Sequence, residues 1–587
     1  MKGQFDALPV PRWWQHPTVA RVLPVVWVAF LGFVMFFNGL GRIGLVDETE
    51  PLFVEAARQM TVTGNWITPY FNEVTRFDKP PLIYWLMSIA FHIVGVNEWG
   101  ARLPSAIAGT LLTGFCFYVL RGLTADSEDE KSSLIVRIMP YLGSAIAALN
   151  LMTLFFGRLG YSDMLLSVCF GGSLFSFFLG YVQPNPNMRI RWYLAFYGLM
   201  ALGVLTKGPV GVVLPSAIVL IFLVLMGNWR EVLPEMKPIF GTIIFLVISV
   251  PWFILVYLQN GSAYIDSFFG VHNVQRFTSV VNQHSGGWYY HLLIVLGGFF
   301  PWSISLPTAI TTVLTQSRQK SRSEQFGWFA LIWFGVVLGF FTIAVTKYIT
   351  YTLPLFPAAA ILVALWWKQQ MVRHHQSRSL KLTVYVSIAF SVALAICVLY
   401  GPRWLNDDPS MPNLGVRLQE SGLPTIAAII WIGAAIAGLM LAVRHQLRWY
   451  WSINLIAFIA FVLFFITPGL TVVDAERQLP LRQIAQAIVQ VRQSNEPIVM
   501  ATNLFEKPSL VFYTDQTIRF LARPREIVPY FEELRANDGL QSTLLITTVR
   551  TLEEANLKPN QYQFIQQNGV YQLFRVPLAA TLSSPKN

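Results

Sequence analysis

Long apolar runs separated by short polar breaks occupy the chain as far as about residue 470. A lipid span takes about twenty mostly apolar residues. Runs of that kind are centred near residues 31, 110, 145, 172, 200, 218, 248, 302, 336, 360, 391, 433 and 458. The pattern predicts an all-α polytopic membrane domain over 1–470, with about thirteen transmembrane helices. Two intervening segments are long, 41–101 and 259–290. In the first, Glu50 to Met60 is amphipathic, and Pro80 and Pro81 open an apolar stretch through Ile93, as proline does at a helix start. Both stretches predict juxtamembrane helices lying along the membrane surface. From Val472 the period changes. Ala475 to Arg492 has the spacing of a helix, and PIVMAT, STLLITTV and YQLFRV have the composition of strands. A small α/β soluble domain with a mixed sheet is expected over 471–587.

Composition agrees with this division. Only 12% of residues are charged, against about a quarter in a soluble protein. The net charge of +11 comes without a basic stripe, so nucleic acid is not the expected partner. Lys and Arg gather instead in SRQKSR (Ser317 to Arg322) and KQQMVRHHQSRSLK (Lys368 to Lys381), which the positive-inside rule places in the cytoplasm. The N-terminus is then cytoplasmic and the C-terminal domain extracytoplasmic. Val22 to Leu40 is long for a signal-peptide core and is expected as a retained first helix. Cys116, Cys169 and Cys397 each fall in an apolar run without metal-ligand spacing, and are expected as small core residues.

Charges beside a bilayer are costly and mark function. Here they collect on one predicted side, at Asp47, Glu48, Asp78, Lys79, Arg158, Asp163, Lys207, His272, Arg276 and Lys347. Basic residues there run against the positive-inside bias, and an anionic ligand gives a reason for keeping them. Asp47 and Glu48 stand where the first span ends; a carboxylate there serves either as a general base or as a helix-start cap. Asp78 and Lys79 precede two prolines that fix the backbone. Lys79 suits a phosphate, Asp78 a cation, and a plain ion pair is the other possibility. His272 and Arg276 are one helical turn apart, so with Asp78 an imidazole–carboxylate site for a divalent ion (zinc or magnesium) is one option beside a phosphate-binding Arg. Arg158 and Asp163 flank the turn of GRLGYSD, Asp163 either catalytic or capping. Lys207, Lys347, Tyr348 and Tyr351 sit in tight breaks between spans, as substrate contacts or as snorkelling anchors.

In order, LVDETEP, GNWITPYFN, RFDKPPLIYW, GARLPSAIAG, GRLGYSDMLL, LTKGPVG, HNVQRF and KYITYTLPLFP run from about Leu40 to Pro357. This series resembles the GT-C glycosyltransferases that use polyprenyl-phosphate sugars. The branch it is most similar to contains the bacterial aminoarabinose transferase of lipid A, with protein O-mannosyltransferases as relatives. The resemblance implies a bacterial inner-membrane enzyme that moves a sugar from a polyprenyl-phosphate donor to a lipid, glycan or protein acceptor. It implies Asp47 as the leading base and Asp163 as a second acid. Asp78 and His272 match metal positions, and Lys79, Arg276 and Tyr351 match phosphate contacts. One position departs: the aminoarabinose branch typically has Arg after DET, and Glu50 stands here. A transporter or flippase of lipid-linked sugars is the main alternative. Such proteins more often carry internal repeats, and none is evident.

Overall fold

The computed structural model describes residues 11, 14, 16–123, 133–275, 278–279, 285–317, 321–373, 375–405, 407–503, 505–536, 540–555 and 557–578, with 123 and 271–274 in backbone alone. Among these, nine helices are long and apolar enough to cross a membrane, or ten if the bent pair Tyr290–Gly298 and Trp302–Leu314 forms one span. Every predicted centre falls on a helical segment, but three of them do not qualify as spans. Leu134–Ala148 and Val210–Met226 are short, at 15 and 17 residues. Pro186–Lys207 is long enough but carries Arg189, Arg191 and Lys207. The expected count of thirteen is therefore not reached on length and apolarity. The chain is a multi-pass membrane protein. Outward faces such as that of Pro238–Asn260, with Ile239, Val247 and Leu258 each more than 60% exposed, are apolar surface of the kind that lipid covers.

Both first-loop helices form. Glu50–Thr63 starts with Pro51 in its first turn and ends at Gly64, whose left-handed backbone (φ +71°) lets its N–H reach the Met60 carbonyl. It buries Phe53, Val54, Ala57 and Met60 and packs on Leu82–Val94, where the Ser88 hydroxyl donates to the Ala57 carbonyl at 2.9 Å. Between them β1 (Tyr70–Phe71) and β2 (Val74–Thr75) make a small antiparallel hairpin. Cys116 and Cys169 are buried, whereas Cys397 is exposed on the outer face of its span rather than in the core.

The C-terminal sheet comprises β3 (Ile498–Ala501), β4 (Ile518–Leu521), β5 (Ser542–Thr548), β6 (Gln563–Asn568) and β7 (Tyr571–Pro577) in the order β4-β3-β5-β7-β6. β3 pairs parallel with β4 and β5, and β7 pairs antiparallel with β5 and β6, so the sheet is mixed. Alternate side chains point to opposite faces. Ile498, Met500 and Ile546 pack against Ile484 and Ile488 of helix Leu479–Val491. Val499, Ala501 and Leu545 pack against Ile527 and Phe531 on the other face. The expected single helix from Ala475 to Arg492 is two, Thr467–Arg477 and Leu479–Val491, divided at Gln478 just before Pro480. The domain docks on the first loop: the Tyr513 hydroxyl accepts from Leu45 N at 2.8 Å, and Asn72 brackets Ile518 with two 2.9 Å bonds.

Candidate active site

A cavity of about 470 Å³ lies where four sequence motifs meet. Its polar end holds Asp78, Lys79, Lys207 and Tyr351, and its walls are Leu166, Val210, Val213, Phe268, Phe340 and Phe341. Tight breaks in the helices put these polar groups there. Gly208 takes φ +87° immediately after Lys207, and Pro80 and Pro81 hold Lys79 just ahead of helix Leu82–Val94. The Lys207 ammonium pairs with the Asp163 carboxylate and lies 5.5 Å from the centroid of the Tyr351 ring. Lys79 is buried, and its ammonium donates to the Asp78 carbonyl at 2.8 Å. Two cations over an apolar groove suit an anionic headgroup with a hydrocarbon tail.

Asp78 is already engaged. Its carboxylate accepts from Arg76 at 2.6 Å and from the Tyr84 hydroxyl at 3.2 Å, with Lys79 at 3.7 Å. A divalent ion would meet two adjacent positive charges there. Among the described residues no three His, Cys, Asp or Glu side chains converge to hold a metal. The His272 side chain and Arg276 lie outside the described residues. The described partners of Asp78 are thus Arg76, Tyr84 and Lys79.

Asp47 and Glu48 occupy a separate cleft against the C-terminal domain. Asp47 is buried, and its two carboxylate oxygens accept from Ser509 N at 2.9 Å and Ser509 Oγ at 2.5 Å. Burial pushes its pKa up to about 6, against the lowering effect of Ser509, Lys507 and Arg477. Glu48 lies 3.7 Å from the Lys507 ammonium and lines a second cavity, of about 520 Å³, with Asn503, Phe505 and Glu506. Tyr161 interacts with residues of both neighbourhoods. Its ring stacks on Phe53, and its hydroxyl bonds to Thr49 and is within electrostatic reach of Glu50, Asp163 and Tyr348.

Glu50 does not leave an extra negative charge beside Asp47. It is fully buried and grips Arg102 through two 2.8 Å bonds, while accepting from Val46 N and Gly160 N at 2.7 Å. Arg102 spends its remaining donors on the carbonyls of Leu40, Ile43 and Gly44. The departure from the expected Arg is thus a buried ion pair that folds the Asp47 loop onto GARLPSAIAG and GRLGYSD.

Two other predicted contacts sit elsewhere. Arg158 donates to the carbonyls of Val34 and Met35 and to Thr467 Oγ, and lines a different cavity of about 160 Å³. The Lys347 ammonium donates to the carbonyls of Thr342 and Ala344 at 2.6 Å, closing the end of helix Arg322–Ile343; Tyr348 faces the Tyr351 ring at 6.0 Å. Sequence reasoning missed Tyr161, Arg477, Lys507 and Ser509. Tyr161 was detectable inside GRLGYSD, but nothing local distinguishes the other three.

Two family models match segments of the chain. Residues 78–255 match the dolichyl-phosphate-mannose-protein mannosyltransferase family model. Residues 491–587 match the C-terminal domain of cyanobacterial RgtA-type glycosyltransferases. An undecaprenyl phosphate-alpha-4-amino-4-deoxy-L-arabinose arabinosyl transferase of Proteus mirabilis is 28% identical over 64% of this chain and 65% of its own length. An uncharacterized protein of Aquifex aeolicus is 28% identical over 62% of the chain and 68% of its own. The alignment therefore spans about 65% of the first of these relatives. The crystal structure of ArnT from Cupriavidus metallidurans bound to undecaprenyl phosphate superposes with a TM-score of 0.74 at 22% identity, over 97% of this chain and all of that one. The chain shares the fold of that transferase and is similar in sequence to aminoarabinose transferases. The all-α membrane domain with a small sheet domain after it is thereby the expected architecture.

Proposed function

We propose that the chain is a glycosyltransferase of the bacterial inner membrane. It moves a sugar from a polyprenyl-phosphate donor to a hydroxyl or phosphate acceptor (lipid, glycan or protein) on the extracytoplasmic face, with inversion. The observation that carries this is the pairing of Lys79 and Lys207 at the polar end of an apolar groove. That arrangement suits a lipid phosphate, and the names of the relatives support the same donor chemistry.

In this reading the acceptor oxygen loses its proton to Asp47 and attacks the anomeric carbon. The bond from that carbon to the phosphate oxygen breaks, and the lipid phosphate leaves with the bonding pair. Lys79 and Lys207 stabilise the negative charge as it develops. Asp163 positions Lys207, and Tyr351 gives the cation an aromatic face. Arg276, which lies outside the described residues, is a further proposed phosphate contact. No step is routed through a metal at Asp78 and His272.

The test supplies purified protein in lipid with a panel of polyprenyl-phosphate sugars and membrane lipid extract, alongside Asp47→Asn. Product formed by the wild-type chain and not by Asp47→Asn is the expected result. Intact donor together with a labelled prenyl lipid carried across the bilayer would replace the enzyme with a transporter.

A further inference from the structure

The C-terminal domain reaches the Asp47 cleft through the start of one short helix, Ser509–Thr514. Ser509 is 462 positions from Asp47 in sequence, yet it donates to both of its carboxylate oxygens. Ser509 is 1% exposed and Asp47 5%, so water does not replace these bonds when one is lost. The two donors come from a single residue and fix both the plane and the rotation of the carboxylate. An ionised carboxylate has about four lone-pair directions, so two bonds leave room for a hydroxyl to be deprotonated.

Other groups hold the same corner. Lys507, also buried, reaches toward Glu48, and Arg477 donates to the Asp47 carbonyl at 3.3 Å. Tyr571 and Asp408 also act on this cluster through their charge. Two of the elements concerned, the turn at 507–509 and β7, follow the apolar spans, and helix Thr467–Arg477 is the end of the last of them.

We propose that Ser509 is a positioning residue for sugar transfer, so that the C-terminal domain forms part of the active site. Ser509 orients the Asp47 carboxylate toward the acceptor and favours its ionised form. The proposal rests on Asp47 being the base.

The test is the pH dependence of kcat/KM for the full chain in lipid, comparing wild type with Ser509→Ala and Ser509→Thr. Removing the hydroxyl takes away one stabilising bond to the charged carboxylate, so its pKa rises and the acid limb moves to higher pH. Ser509→Ala is expected to be about two- to fivefold slower at pH 6, converging with wild type near pH 8.5, with donor KM unchanged. Ser509→Thr restores the limb. A uniform fall across all pH values, or an unmoved limb, overturns the proposal. Should Ser509→Ala fail to fold, as read by its melting transition, Ser509→Cys supplies a similar volume with a weaker donor and the same displaced limb is required of it. Asp47→Asn separates the two ideas: if it keeps transfer activity, the base assignment fails and the proposal with it; if it is inactive while the Ser509→Ala limb is unmoved, only the proposal fails.

Discussion

The groove at Lys79 and Lys207 draws its polar end from turns of the membrane domain at 78–79, 207 and 351, closed by Asp163. The cleft at Asp47 takes its closest partners from Ser509 and Lys507, beyond the last span, and from Arg477 at that span's C-terminal end. Membrane helices can place charges at a lipid groove unaided, because each charge sits beside a break where leaving the apolar phase costs least. A carboxylate that must be buried, ionisable and aimed needs donors from a separate surface. A soluble domain docked over the loop supplies them. Losses in the groove should therefore appear in donor affinity, and losses in the cleft in turnover and its pH dependence.

The largest expected effect falls in the cleft. Asp47→Asn keeps the shape and lets its amide oxygen accept from Ser509 N while its NH2 donates to Ser509 Oγ, but it cannot accept a proton, so kcat should fall by about 10²–10⁴-fold while donor still binds. With Asp47 held near 6 by burial, wild-type activity should climb as the pH passes through about 6, because the protonated form below that value is not a base. A flat profile from pH 5 to 8 would remove Asp47 from that role.

Next comes the frame shared by both sites. Glu50→Gln leaves the Arg102 guanidinium buried without its counter-charge, and breaking a pair of this kind costs about 3–5 kcal/mol. Thermal unfolding in detergent should show a clearly lowered transition. An unchanged transition would mean that the pair does not organise the loop. In the groove, Lys207→Met should weaken donor binding about ten- to a hundredfold, as expected for a charge-assisted contact worth about 1.5–3 kcal/mol. Equal binding by the variant would place the phosphate elsewhere.

The contrast also explains what could be read from the sequence. The spans announce themselves because lipid demands long apolar runs, and the Lys79, Asp163 and Lys207 turns stand out against them. Of the five sheet strands, β3, β5 and β7 were legible. The two missed, β4 (IRFL) and β6 (QFIQQN), are the edges of the sheet, where one side lacks a partner strand and the sequence is short or polar. Ser509 and Lys507 are ordinary loop residues whose meaning arises only from docking across 462 and 459 positions, a pairing that no local pattern encodes. Glu50 was visible as a charge reversal. Its consequence was not, since Arg102 lies 52 positions on and only the folded loop joins them.

The smallest expected effect is at Lys347, which sequence alone groups with the substrate contacts. Its ammonium is held by the carbonyls of Thr342 and Ala344, which helix Arg322–Ile343 leaves without intrahelical partners at its C-terminal end. A cation there stabilises the helix end by about 0.3–1 kcal/mol and up to about 2 when partly buried. Lys347→Met should therefore lower the melting transition slightly and leave donor affinity within about twofold of wild type, in contrast to Lys207→Met. Binding isotherms for the two variants, measured with the same polyprenyl phosphate, decide the matter. If Lys347→Met loses affinity as Lys207→Met does, its ammonium must leave the helix end to meet the phosphate, and the groove is then assembled by the ligand rather than preformed.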